Sequence, residues 1–233
     1  MVYSNLKLRT LDGDVDFIPT DKQKLLVDIM STSNVSSRLT RQQGFSTIQT
    51  ISALDRAVFT KSHILIISHN NSQSIYKLKL LADMVSDSKY RVYITRITKN
   101  RIEFTNGSVI SISSIQNMSH SLAGQMTPIV YIDVLLNINN IEETIRTVSE
   151  LICRSIKFSI GLMSNPPQKK KESRKYHESL SELMTMLQYH TIMVDFPNTK
   201  KMMVEGLSKE QHNIEYELFP YNNLGYDPTF SDN

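Results

Sequence analysis

Seven residues, His63–His69 (HILIISH), form an apolar run too continuous for a strand with one wet face. Successive strand side chains point to opposite faces, so a run without polar alternation is covered on both. Strands of that kind lie in parallel sheets beneath helices. The neighbouring segments agree. Ser46–Phe59 carries Ile48, Ile51, Leu54 and Val58 at helical spacing, and Asn71–Val85 is amphipathic with the same period. Buried strands alternating with helices predict an α/β fold: a mostly parallel sheet flanked by helices on both faces.

The remaining segments extend this pattern. Asn5–Ile18 alternates around Asp12-Gly13 and reads as a short hairpin. Thr20 and Asp21 cap a helix through Met30, with Leu25, Leu26, Ile29 and Met30 on one face. Tyr90–Ile97, Arg101–Phe104, Ser108–Ile115 and Pro128–Leu136 are β-branched or alternating, and Asn106-Gly107 marks a tight antiparallel hairpin. Glu142–Cys153 is helical. Lys157–Ser164 is another apolar strand, stopped by Asn165-Pro166-Pro167. After the basic segment Gln168–Lys175 come a helix to Leu187, a strand over Thr191–Phe196 and a helix near Ser208–Glu217. The strands expected to be buried include His63–His69, Pro128–Asp133 and Lys157–Leu162. The expected organisation is one domain over 1–220 and a Pro/Asn/Gly tail over 221–233.

With 233 residues, 40% of them apolar and 21% charged, the chain is long enough for one sizeable core. Its net charge of +3 permits a polyanionic partner without requiring one. A single cysteine, Cys153, excludes an internal disulfide and fits a reducing compartment. Its apolar neighbourhood, Val148–Ile156, predicts a buried structural thiol. The six histidines show no zinc-ligand spacing. Neither a secretory leader nor a run approaching the roughly 20 apolar residues of a membrane span is visible, so an intracellular, soluble protein with no membrane partner is expected.

The segment richest in chemistry is Leu39-Thr40-Arg41-Gln42-Gln43-Gly44-Phe45-Ser46-Thr47. A phosphate-binding loop joins a strand to a helix through a glycine turn. Backbone N–H groups cradle phosphates, a lysine reaches the outer phosphates, and a Ser or Thr hydroxyl holds Mg²⁺. Gly44, Ser46 and Thr47 fit that pattern. Leu39 stands where the first glycine belongs, and Phe45 where the lysine belongs. A helix merely entered through a glycine turn is the plainer alternative.

In order and spacing, six segments resemble the ATPase domain of tailed-phage large terminases, the motors that package viral DNA. The family's loop, S/T-R-Q-x-G-K-S/T, is matched by Thr40–Ser46. Gln23 stands where these ATPases place an adenine-reading glutamine. Ile102–Ser108 matches the hairpin I-x-F-x-N-G-S, and Ile129–Asp133 looks like the Walker B strand. Ser164-Asn165-Pro166 stands at the coupling motif, and Lys209–Phe219 resembles the segment ending in E-Y-x-x-x-F. The resemblance covers roughly residues 5–220 and stops where the family's nuclease domain would begin. It implies ATP or ADP with Mg²⁺ as cofactor. Gln23, Arg41, Gln42, Gly44, Ser46 and Thr47 would bind the nucleotide, Ser46 and Asp133 the metal, and Asp133 with Arg41 would serve catalysis. It further implies packaging partners (a terminase subunit, the portal, or double-stranded DNA), an oligomer as an open option, and the host cytoplasm as location.

Three positions depart from the family pattern. Phe45 replaces the loop lysine, Val134 the glutamate after the Walker B aspartate, and Ala123 an arginine that commonly precedes Walker B. Some terminases place an aromatic residue at the lysine position and move the basic residue earlier, a role open to Arg41 or Arg38. Val134 has no such substitute: the glutamate activates the attacking water, and valine has no hydrogen-bonding group. The expected protein is therefore a terminase-like pseudo-ATPase. An active ATPase with a displaced arginine and a nucleotide-independent DNA-binding or interaction module remain as alternatives. Lys169, Lys170, Lys171, Arg174 and Lys175 are candidates for gripping a DNA phosphate backbone, with a solvated loop as the plainer alternative.

Overall fold

A computed structural model describes residues 6–10, 13–38, 44–86, 88–115, 129–136, 139–164 and 170–195. Two strands, β1 (Lys7–Thr10) and β2 (Gly13–Asp16), form the expected N-terminal hairpin. Gly13 pairs with Thr10, so the hairpin closes just before the predicted Asp-Gly centre. Helix α1 (Asp21–Thr32) then opens on a capping box. Gln23 N–H donates to Thr20 Oγ1 at 3.3 Å, and Thr20 N–H donates to Gln23 Oε1 at 2.9 Å. Its buried face holds Leu26, Val27 and Met30, whereas Leu25, expected with them, is 58% exposed. Leu25 is one position, about 100° of helix, off the stripe.

Among the described residues the main sheet has eight strands. They are β3 (Val35–Arg38), β4 (His63–Ser68), β5 (Ile94–Ile97), β6 (Arg101–Phe104), β7 (Val109–Ser114), β8 (Ile129–Leu136), β9 (Lys157–Ser164) and β10 (Ile192–Asp195). Their order is β10-β3-β9-β8-β4-β7-β6-β5. The first six run parallel to one another, and β6 and β5 continue with antiparallel pairings. The parallel run and the appended hairpin are as the sequence predicts. The strand expected over Tyr90–Ile97 is shorter: Lys89–Tyr93 form a 3₁₀ turn, capped by Ser88, before β5 begins.

Helices α2 (Phe45–Phe59) and α3 (Asn71–Ser86) pack with α1 on one face of the sheet. Helices α4 (Ile141–Arg154) and α5 (Lys170–His190) cover the other. Residues of β4 and β8 divide between the two cores by parity. Ile64, Ile66, Ile129 and Tyr131 join the first, while Leu65, Ile67, Val130, Ile132 and Val134 join the second. Removing each such side chain from water contributes about 1.5–3 kcal/mol, which is why both faces of HILIISH must be apolar. Cys153 departs from expectation: it is exposed. The buried positions of α4 are Ile141, Thr144, Thr147, Val148 and Leu151, and residue 153 falls off that stripe.

The hairpin motif also has a structural role. Gly107 sits at φ +82°, the left-handed region glycine tolerates. Asn106 Nδ2 donates to the carbonyls of Ala57 and Val58 at 2.9 and 3.3 Å, satisfying the C-terminal end of α2. Ser108 Oγ accepts from Ser62 N–H at 3.0 Å. The tail 221–233, the segment Lys209–Phe219 and the helix expected near Ser208–Glu217 lie outside the described residues.

Candidate functional site

Parallel strands end at one edge of the sheet, and there open crevices form beyond their carboxyl ends. At this edge β3 leads towards α2, β8 ends beyond Asp133, and β4 ends at Ser68. Strand β9 lies between β3 and β8.

Helix α2 enters through Gly44 at φ +71°, with no side-chain cap. A Cβ at Gly44 would lie 2.8 Å from Gln23 Nε2, so the turn and the Gln23 amide are in close approach. Gln23 is thus beside Gly44, while its Oε1 serves the capping box. By helix geometry, the first N–H groups of α2 lack intrahelical acceptors and favour an anion.

One polar seam fixes α2 against the sheet. Ser46 Oγ donates to Asp133 Oδ2. One turn on, buried Gln49 donates through Nε2 to the carbonyls of Ile132 at 3.0 Å and Ser159 at 3.2 Å. Another turn on, Ser52 Oγ and Tyr131 Oη lie 2.8 Å apart. The spacing 46-49-52 is one helix face, and 133-132-131 steps back along β8 to meet it. Burial raises the Tyr131 phenol above its ordinary ionisation range, which Ser52 and Arg56 only partly oppose. It therefore remains a neutral partner in the seam. Farther on, Arg56 donates to the Met30 and Ser31 carbonyls at 3.0 and 2.6 Å, stitching α2 to the end of α1.

Asp133 receives a second donor. Lys77 Nζ, from α3, lies 2.8 Å from Oδ2, and both side chains are only 7% exposed. Sequence reasoning missed Lys77. The signal was its place in the buried stripe of α3 (Ser74, Lys77, Leu78, Leu81, Met84, Val85), where a lysine is out of character. Ser46 and Asp133 are brought together as predicted, but the arrangement does not fit Mg²⁺. Hard divalent cations need free oxygen ligands. Here Oδ2 already accepts from a hydroxyl and an ammonium, only Oδ1 is left without a partner among the described residues, and that ammonium would repel a dication in the same place.

Two of the three departures from the family pattern are equally concrete. Phe45 is 3% exposed and belongs to the first core cluster, so its ring is core rather than site. Val134 is fully buried in the second cluster, in the apolar layer that includes Ile132 and Leu162. Thr47 occupies the first turn of α2. Arg41, Gln42, Ala123 and Lys169 lie outside the described residues, as does the side chain of Arg38. The basic segment expected as a loop is instead helical from residue 170, so Lys170 and Lys171 open α5. Arg174 pairs with Glu178 at 3.1 Å and Lys175 with Glu142 at 2.7 Å; all four are well exposed. Pairs this exposed contribute little to stability and leave the cations able to exchange partners.

No family model matches the sequence, and no curated protein matches it. Solved structures do match its fold. The large terminase of bacteriophage HK97 superposes with a TM-score of 0.64 at 11% identity, over 97% of this chain and 53% of that one. The UvsW helicase of bacteriophage T4 follows with a TM-score of 0.54 at 16% identity, over 83% and 64%. The large terminase of a thermophilic bacteriophage gives 0.52 at 14% identity, over 85% and 50%. The chain therefore has the P-loop NTPase-like fold shared by large terminases and this helicase. It spans about half the length of the two terminases. Among the described residues, no helix is long and apolar enough to cross a membrane.

Proposed function

We propose that this chain is a terminase-like ATPase-fold protein related to viral DNA packaging, impaired in ATP hydrolysis, that acts by binding the packaging machinery or DNA. The observation that carries this reading is Val134, locked in apolar core at the position where the fold's water-activating carboxylate would follow Asp133. Loss of a general base removes roughly 10²–10⁴-fold of rate. The fold likeness to the HK97 terminase over nearly the whole chain supports the packaging context.

In this reading a nucleotide's phosphates rest against the N–H groups of Gly44–Thr47, with Gln23 alongside and Arg41 and Gln42 completing the loop. Such a nucleotide would supply a phosphoanhydride bond, and Val134 offers no group to activate water against it. Lys170, Lys171, Arg174 and Lys175, at the start of α5, would meet duplex DNA through non-specific, salt-sensitive contacts. The host cytoplasm is the corresponding location.

ATP turnover tests the reading. Purified protein, with and without duplex DNA and Mg²⁺, is expected to hydrolyse ATP at least ~100-fold below the usual enzyme range of about 1–10³ s⁻¹. Turnover within that range, abolished by Arg41→Ala, would instead establish the displaced-arginine ATPase.

A further inference from the structure

The residues converging on Asp133 come from two helices. From α2, Ser46 Oγ donates to Oδ2; from α3, Lys77 Nζ donates to the same oxygen at 2.8 Å. The other carboxylate oxygen, Oδ1, is buried without a hydrogen-bond partner among the described residues. The Lys77 ammonium thus stands at the face of Asp133 shared with Ser46, which is where a metal held by those two side chains would have to sit.

We propose that the Lys77 ammonium is the resident cation of this site, taking the place of a divalent metal. A nucleoside phosphate docking at the start of α2 then binds as the metal-free anion. The second statement rests on the proposed function for placing phosphate there; the first does not depend on it.

A lysine in the buried stripe of an amphipathic helix is costly unless paired, and Asp133 is its pair. One buried carboxylate balances one ammonium, whereas a dication added at the same oxygen leaves excess positive charge in a poorly solvated place. The pair is also intramolecular, so the ammonium is present at a fixed position whatever the metal concentration.

Mn²⁺ binding followed by electron paramagnetic resonance, without nucleotide, tests the first statement. The wild-type protein is expected to show no Mn²⁺ site that Asp133→Asn removes. Lys77→Gln is expected to gain one, with affinity raised at least ~100-fold, and Lys77→Gln combined with Asp133→Asn to lose it again. A wild-type Mn²⁺ site that Asp133→Asn abolishes overturns the proposal, and so does a folded Lys77→Gln protein that gains none. The wild-type titration decides the matter even if Lys77→Gln does not fold. ADP titrations in Mg²⁺ and in EDTA address the second statement. Affinities equal within about twofold are expected, whereas Mg²⁺-dependent binding or no binding refutes it. Motor-like ATP turnover would defeat the proposed function and leave the Mn²⁺ result standing, so the two failures are separable.

Discussion

Replacing Asp133 with alanine is expected to lower the unfolding free energy by about 3–5 kcal/mol, because it strands the Lys77 ammonium in the core. Lys77 and Asp133 are each 7% exposed, so water cannot readily replace the lost partner. The change also removes the acceptor of Ser46 Oγ, at the point where α2 docks on β8. For a chain of this size the loss corresponds to a fall in Tm of roughly 6–20 °C, readable by calorimetry. Adding Lys77→Met to Asp133→Ala is expected to recover most of it, since a buried ion pair can be replaced by apolar groups with little net change. An Asp133→Ala protein as stable as wild type would mean that the pair is open to solvent.

Restoring the lysine of the phosphate loop is the second large effect, and its sign is opposite to what the motif suggests. Phe45→Lys is expected to cost roughly 3–5 kcal/mol and to yield no hydrolysis. The Phe45 ring fills the first core cluster, so its removal leaves a void that a lysine stem with a charged end cannot fill. The new cation would also share the edge with Lys77, and Val134 would still offer no base. Thermal denaturation and an ATPase assay on the same preparation check both halves. A stable Phe45→Lys protein that turns over ATP would show that Phe45 is the whole of the defect.

How far the sequence reaches depends on whether a residue's role is periodic or tertiary. The parity of HILIISH reports directly on two covered faces, and β4 is buried on both. Thr20 was legible as a cap and Asn106-Gly107 as a turn, because both interactions are local. The pairing of Ser46 with Asp133 was legible only through the order of motifs, since 87 residues separate them. Lys77 was missed for the opposite reason. It belongs to no phosphate-loop motif, and its meaning appears only when its side chain meets Asp133. Cys153 and Leu25 illustrate a smaller failure: an apolar neighbourhood in sequence does not fix which side of a helix a residue occupies. The basic segment after Asn165-Pro166-Pro167 was expected to be a solvated loop, yet α5 begins among its lysines.

The most direct test of the account is a crystal soaked with Mn²⁺ and a non-hydrolysable ATP analogue, with data collected for the manganese anomalous signal. Lys77 Nζ is expected still against Asp133 Oδ2, with no anomalous peak bonded to Ser46 or Asp133. An anomalous peak bridging Ser46 Oγ and Asp133, with Lys77 displaced, would contradict it.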